Sequence, residues 1–294
     1  MIEPVVTFLE RGDNEAQTAS LGIQQHLQPR LWAREFGNVG APRGAMAIMH
    51  DHGEHGGRYS KLGSRLAENG FAVSVFDFRS HGDSDGDRSG VFVSSEDPIQ
   101  DLDMAMIHVA ILMPEAPRIA MGTGLGGVVA MAYAAKYPEK CSGFVAFNPD
   151  LKPGLAVKKP GMFGSLFGGG VLGIDAKDRF RDANKAAEFM NDKKVTLKRD
   201  AKTSAAIDAI RAAAMAGAAN LKGRGFIVMS KNDKIIDTGA IREYCNKAGS
   251  KVELLEVDLS HSVWHDAEAE KAMVPMLAFL EKHYPRGANK IPEM

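Results

Sequence analysis

The chain has 294 residues, of which 45% are hydrophobic and 25% charged, which excludes a disordered or fibrous polymer and supplies enough apolar side chains for a sizeable core. Its 36 basic and 37 acidic side chains nearly cancel, and no basic tract is interleaved with aromatics, so a nucleic-acid partner is not expected. Small-molecule chemistry or a protein partner is the expectation.

Glu3, Glu10 and Arg11 interrupt the N-terminal region, which has no signal-peptide apolar core, and no run of about 18 uncharged apolar residues occurs anywhere. Cys141 and Cys245 form neither a metal-type spacing nor a disulfide framework. These features predict a soluble chain in a reducing, cytoplasmic compartment.

In chain order, the partial alternation of Leu27 to Phe36 predicts an antiparallel strand leading into a sheet. From there short apolar runs alternate with helical patterns, the rhythm of parallel strands joined by crossover helices. Ala45 to Met49 is a strand, Tyr59 to Glu68 a helix, Ala72 to Asp77 a strand and Ile99 to Leu112 a helix. Arg118 to Met121 and Gly143 to Phe147 are strands around a helix at Gly126 to Lys136. After an interruption come the strand Gly225 to Met229, the helix Gly239 to Lys247, the strand Val252 to Val257 and the helix Ala267 to Lys282. The expected organisation is therefore a core of residues 1–150 and 222–294 with an inserted helical cap at 151–221. Within the cap, Lys158 to Phe167 reads either as a mobile lid that touches a lipid surface or as a packed hinge.

The residues that carry chemistry follow strand ends, where an open parallel sheet places its ligands. His50-Asp51-His52-Gly53-Glu54-His55-Gly56-Gly57-Arg58-Tyr59 follows the first core strand. Its polar residues read as a hydrogen-bonded loop scaffold, because His50 and His52 lack a helical metal-ligand spacing. Asp77-Phe78-Arg79-Ser80-His81-Gly82-Asp83-Ser84-Asp85-Gly86 has the Gly and Asp content of a tight architectural turn, in which Ser84 is structural. Met121-Gly122-Thr123-Gly124-Leu125-Gly126-Gly127 joins a strand to a helix, with Gly122 and Gly126 small because the two backbones approach closely there. Asp233 follows a strand after the cap, Asp237 reads as a helix N-cap, and His261 follows the final strand with His265 beyond it as a surface or packing residue.

In this order the motifs resemble the α/β-hydrolase superfamily, in particular its monoacylglycerol lipase and lysophospholipase-like (serine aminopeptidase-type) branch, with its HGxxEHxxRY, DxRGHGxSxG and GHSMGG segments. The resemblance implies an α/β-hydrolase fold with a mostly parallel sheet flanked by helices and an inserted cap, Asp233 and His261 as acid and base, and the His52 and Leu125 N–H groups as oxyanion donors. It also implies a serine at position 124, where this chain has glycine. Asp51 stands where the branch has glycine and Thr123 where it has histidine. Asp51 would set a carboxylate near the place where negative charge must develop, and Thr123, one residue off the elbow, cannot simply substitute.

The expectation is a lipase-like or esterase-like scaffold impaired in ester hydrolysis, by natural divergence or by replacement of its nucleophile. Two further readings stay open: a pseudoenzyme that binds a partner or a small hydrophobic ester or acyl-type ligand, and a site where His261 and Asp233 act as a general base without a covalent nucleophile. In the last, Asp51 is a second carboxylate. No cofactor or metal is implied: there is no phosphate-loop pattern, and the Gly122 to Gly127 run lacks the acidic residue of a dinucleotide site.

Overall fold

The computed structural model describes residues 2–10, 29–37, 42–157, 175–197 and 199–286. Leu27 and the whole of Lys158 to Phe167 lie outside the described residues. The strands are β1 (Val5–Leu9), β2 (Leu31–Phe36), β3 (Ala45–Met49), β4 (Ala72–Phe76), β5 (Arg118–Thr123), β6 (Gly143–Phe147), β7 (Arg224–Ser230) and β8 (Val252–Val257). They form one 8-stranded sheet in the order β1-β2-β4-β3-β5-β6-β7-β8. Only the pairings of β1 with β2 and of β2 with β4 are antiparallel. Every other pairing is parallel.

The helices are α1 (Ser60–Glu68), α2 (Glu96–Leu112), α3 (Leu125–Lys136), α4 (Ala176–Arg179), α5 (Ala183–Asn191), α6 (Ala201–Gly217), α7 (Thr238–Ala248) and α8 (Glu270–His283). Alternate side chains of the central strands face opposite layers, as the two-residue period of a strand requires. Ala47, Met49, Ala120, Ala146 and Ile227 pack with apolar residues of α2, α3, α6 and α7. Met46, Ile48, Met121, Val145 and Val228 pack with α1 and α8 on the other side. Both faces are covered, which is why β3 and β6 read as uninterrupted apolar runs.

The sequence reading missed β1. Val5 and Val6 are 69% and 52% exposed on the edge of the sheet, so the strand buries too little to impose a pattern. β5 runs to Thr123 rather than Met121, because Gly122 and Thr123 keep their register with Ala146 and Phe147 although their side chains are not apolar. In the interval expected as a cap, α6 packs through Ala206, Ile207 and Ile210 into the core that contains α3. The segment preceding α6 reaches the strand ends, where the Thr196 N–H donates to the Gly53 carbonyl at 2.8 Å. No helix among the described residues is long and apolar enough to cross a membrane.

Candidate active site

The carboxyl ends of β3, β5, β7 and β8 bring Asp51, Gly124, Asp233 and His261 together. His261 follows β8 and donates from Nδ1 to Asp233 Oδ2 at 2.7 Å. The other Asp233 oxygen accepts the Ile235 N–H at 2.8 Å, which fixes the carboxylate in its loop. Asn148 ties these loops together across β6: its Nδ2 donates to the His261 carbonyl at 2.8 Å, and its Oδ1 accepts the Ser230 N–H at 2.7 Å.

Gly124 lies between β5 and α3 with φ 52° and ψ −117°, a left-handed backbone that favours glycine. Its N–H donates to the Phe147 carbonyl at 3.0 Å, and its carbonyl accepts from Asp150 at 3.1 Å and from Val128 at 3.3 Å. Gly122 permits the close approach behind it: a β-carbon there would stand 2.7 Å from the Gly127 nitrogen and closer still to the Gly126 carbonyl. Thr123 closes β5, and among the described residues its hydroxyl makes no hydrogen bond to His261 or Asp51.

Asp51 occupies the centre of this arrangement. Its Oδ1 accepts the His52 N–H and the Leu125 N–H, both at 2.8 Å, which are the two donors that the family resemblance aims at an oxyanion. A β-carbon on residue 124 would stand 2.8 Å from Asp51 Oδ2 and closer to Oδ1 and Cγ, so the carboxylate fills the volume of the side chain that Gly124 lacks. Oδ2 accepts from Arg179 Nη1 at 2.9 Å and lies 3.6 Å from His261 Nε2. Arg179 also pairs with Glu54 at 3.4 Å, and Glu54 accepts from the Tyr59 hydroxyl.

In this cluster Arg179 and the imidazole of His261 face the carboxylates of Asp51, Glu54 and Asp233. Burial alone would push the Asp51 carboxyl up, but Arg179, His261 and the Leu125 N–H together hold it well below the usual carboxylate range. Burial would lower His261, yet Asp233 and Asp51 outweigh it and raise the imidazole to about 10. The two carboxylates on either side of the ring thus favour the protonated imidazole over the neutral base that would accept a proton from a hydroxyl.

The surrounding motif residues are scaffold. His50 Nε2 accepts the Phe78 N–H at 3.1 Å, and burial lowers His50 and His81 to about 3, so both are neutral. Asp77 accepts the Gly56 and Asp83 N–H groups at 2.6 and 2.8 Å, while the Ser84 hydroxyl donates to the Asp77 carbonyl at 2.6 Å. Asp237 caps α7 by accepting from the Gly239 N–H at 2.9 Å. His265 packs edge-on against Tyr59 and Phe180. Among the described residues no cluster of His, Cys, Asp and Glu has the arrangement of a metal site.

Sequence reasoning missed Arg179 and Asn148. Arg179, 3% exposed at the end of a single-turn helix, belongs to no motif. The signal available was indirect: a carboxylate expected at a buried strand end needs a cation, and residues 175–197 include several.

A mostly parallel, helix-covered sheet with an acid and histidine in this chain order defines an α/β-hydrolase. Residues 40–272 match the family described as serine aminopeptidase, S33, and the chain belongs to that family. It is 28% identical over 253 residues to a monoacylglycerol lipase of Mycolicibacterium smegmatis, covering 82% of this chain and 89% of that one. It is 30% identical over 122 residues to the monoglyceride lipase of Homo sapiens, 40% of this chain and 39% of the relative. Among solved structures, the monoacylglycerol lipase of Paleococcus ferrophilus superposes with a TM-score of 0.75 at 24% identity, covering 86% of this chain and 99% of that one. A soluble variant of the Saccharomyces cerevisiae monoglyceride lipase with a substrate analog gives a TM-score of 0.75 at 16% identity, covering 97% of each chain. At these identities the structural likeness speaks to the fold alone.

Proposed function

We propose that this chain is a lipase-like α/β-hydrolase that no longer performs serine-based acyl transfer and keeps the scaffold as a binding site for a hydrophobic ester or acyl-type ligand. The observation that carries this reading is the position of Asp51. An ester attacked at this site would need a nucleophile from residue 124 and two free N–H donors for the developing oxyanion. Gly124 offers no side chain, and both donors are already satisfied by a carboxylate oxygen. A second negative charge entering beside Asp51 at 4 Å would meet a repulsion of about 4 kcal/mol at an effective dielectric of 20. The ligand class is taken from the monoacylglycerol and monoglyceride lipases that the chain is similar to.

The test is hydrolysis of p-nitrophenyl and glycerol esters by the chain, by Gly124→Ser, and by Asp51→Gly combined with Gly124→Ser. The reading expects buffer-level rates from the first two and measurable turnover only from the double variant, with a non-hydrolysable glycerol ether binding to the unaltered chain. Ester turnover by the unaltered chain that is lost in His261→Ala would overturn it.

A further inference from the structure

We infer a second binding site, an open cleft between α1, α5 and the turn that joins β8 to α8, which takes a free amphiphilic anion: an alkyl chain ending in a carboxylate. The cleft has a volume of about 800 Å3, within the roughly 300–1,000 Å3 typical of small-molecule sites. Asp51, Gly124, Asp233 and His261 do not line it.

The apolar part of its wall comes from Leu62 of α1, Met273 of α8 and the indole of Trp264. The indole stands edge-on to Phe147 with ring centroids 4.6 Å apart, and its Nε1 is buried without a hydrogen-bond partner among the described residues. Buried N–H groups are normally paired, so an orphan on the wall of a cleft marks a place for an acceptor brought by a ligand or by water. His265 follows Trp264 on the same wall, and its Nδ1 is likewise buried and unpartnered. Burial lowers His265 to about 3, and Arg58 and Lys185 push it the same way against a smaller opposing effect of Glu188. Cations therefore dominate the field at this part of the cleft.

The acids on the walls already have partners. Glu188 pairs with Lys185 at 2.7 Å and Glu270 with Arg65 at 3.7 Å. Asp182 accepts the Asn184 N–H at 2.8 Å, and Asp266 accepts the Ser260 N–H at 2.7 Å. Lys61, in the first turn of α1, lines the cleft with neither a hydrogen bond nor an ion pair among the described residues. The groups left unengaged are thus a cation and an N–H donor. A carboxylate can accept from the indole N–H and draw in Lys61, whose flexible stem can swing toward it, while its alkyl chain lies on Leu62, Met273 and the indole. A neutral alcohol would meet the N–H alone, and a cationic head would meet the repulsion of Arg58, Lys61 and Lys185.

The chain has two tryptophans, Trp32 and Trp264, so Trp32→Phe leaves Trp264 as the reporting indole. Sodium decanoate below its micelle concentration should change Trp264 emission saturably, with decanol binding roughly tenfold more weakly and decyltrimethylammonium giving no response. Calorimetry on the unaltered chain measures the same binding without that substitution. Trp264→Phe removes the N–H and keeps a ring, and Lys61→Glu reverses the free charge; each should weaken decanoate by about tenfold. Equal affinity for decanol and decanoate, or an affinity for decanoate unchanged in either variant, would overturn the inference. So would displacement of decanoate by the non-hydrolysable glycerol ether, or a response to phosphatidylglycerol vesicles but not to free decanoate. Binding of the ether at the strand ends is measured separately, so its failure would leave the cleft untouched.

Discussion

Asp51 and Gly124 are complementary: the carboxylate of one occupies the space of the side chain that the other lacks, although 73 positions separate them in sequence. Against the pattern the sequence resembles, with glycine on the loop and serine on the elbow, the small residue and the polar side chain have changed places. The Asp51 carboxylate sits at the N-terminus of α3, where it accepts the Leu125 N–H and where the helix dipole favours a negative charge. It also places that charge permanently where a reaction would otherwise generate it.

The pairing of His261 with two carboxylates makes stability depend on pH in a stated direction. His261 is raised from 6.5 to about 10 by Asp233 and Asp51 against burial and the opposing Arg179, so its contribution is complete below 6.5 and is lost as pH rises through 10. Asp51 is held below 3.8, so its contribution is present above 3.8 and is lost as pH falls through its folded value. Thermal melts should show the unaltered chain losing stability from neutral pH toward pH 10, by an amount on the order of a few kcal/mol. His261→Gln should show a shallower alkaline decline. An identical alkaline slope in the two proteins would contradict the assignment.

Arg179 neutralises two buried carboxylates at once, being 2.9 Å from Asp51 and 3.4 Å from Glu54. Arg179→Met should therefore destabilise by about 3–5 kcal/mol, because both acids stay buried without their cation. Arg179→Lys keeps the charge and should lose less. Urea unfolding midpoints measure both, and a neutral Arg179→Met would show that the cluster does not depend on the Arg179 cation.

The parts of this molecule that were legible in sequence are those that repeat a period or a motif. β3 and β6 match their expected bounds because a run of side chains reports its own burial, and β8 matches although only Val252 and Val257 at its ends are buried. Asp233 and His261 stand in recognisable order, and Gly122 announced a close approach. What was not legible depends on distance between segments remote in the chain. Asp51 could be suspected of standing near a site of negative charge, but its seat on both N–H donors exists only once β3 lies beside β5. Arg179 belongs to no motif, because an arginine that enters a site from a segment remote in the chain resembles any surface arginine until its partners are known.

Gly122 should tolerate nothing larger. Its β-carbon would overlap the Gly126 carbonyl, which is backbone at the start of α3 and has no rotamer to yield. Gly122→Ala should destabilise by at least the roughly 1–3 kcal/mol of an overpacked core and reduce recovery of folded protein. A melting temperature equal to that of the unaltered chain would show that β5 and α3 separate more easily than their contact implies.

The most direct test of the central claim is a stability cycle between Asp51 and Gly124, comparing the chain with Asp51→Gly, Gly124→Ser and the double substitution by urea unfolding. Serine at a left-handed position carries a backbone strain of about 1–3 kcal/mol in either background. Overlap with the carboxylate adds a further cost only where Asp51 is present. The account predicts that Gly124→Ser is more destabilising beside Asp51 than beside glycine, with a coupling of about 2 kcal/mol or more. Equal losses in the two backgrounds would mean that the carboxylate does not occupy the place of the missing side chain.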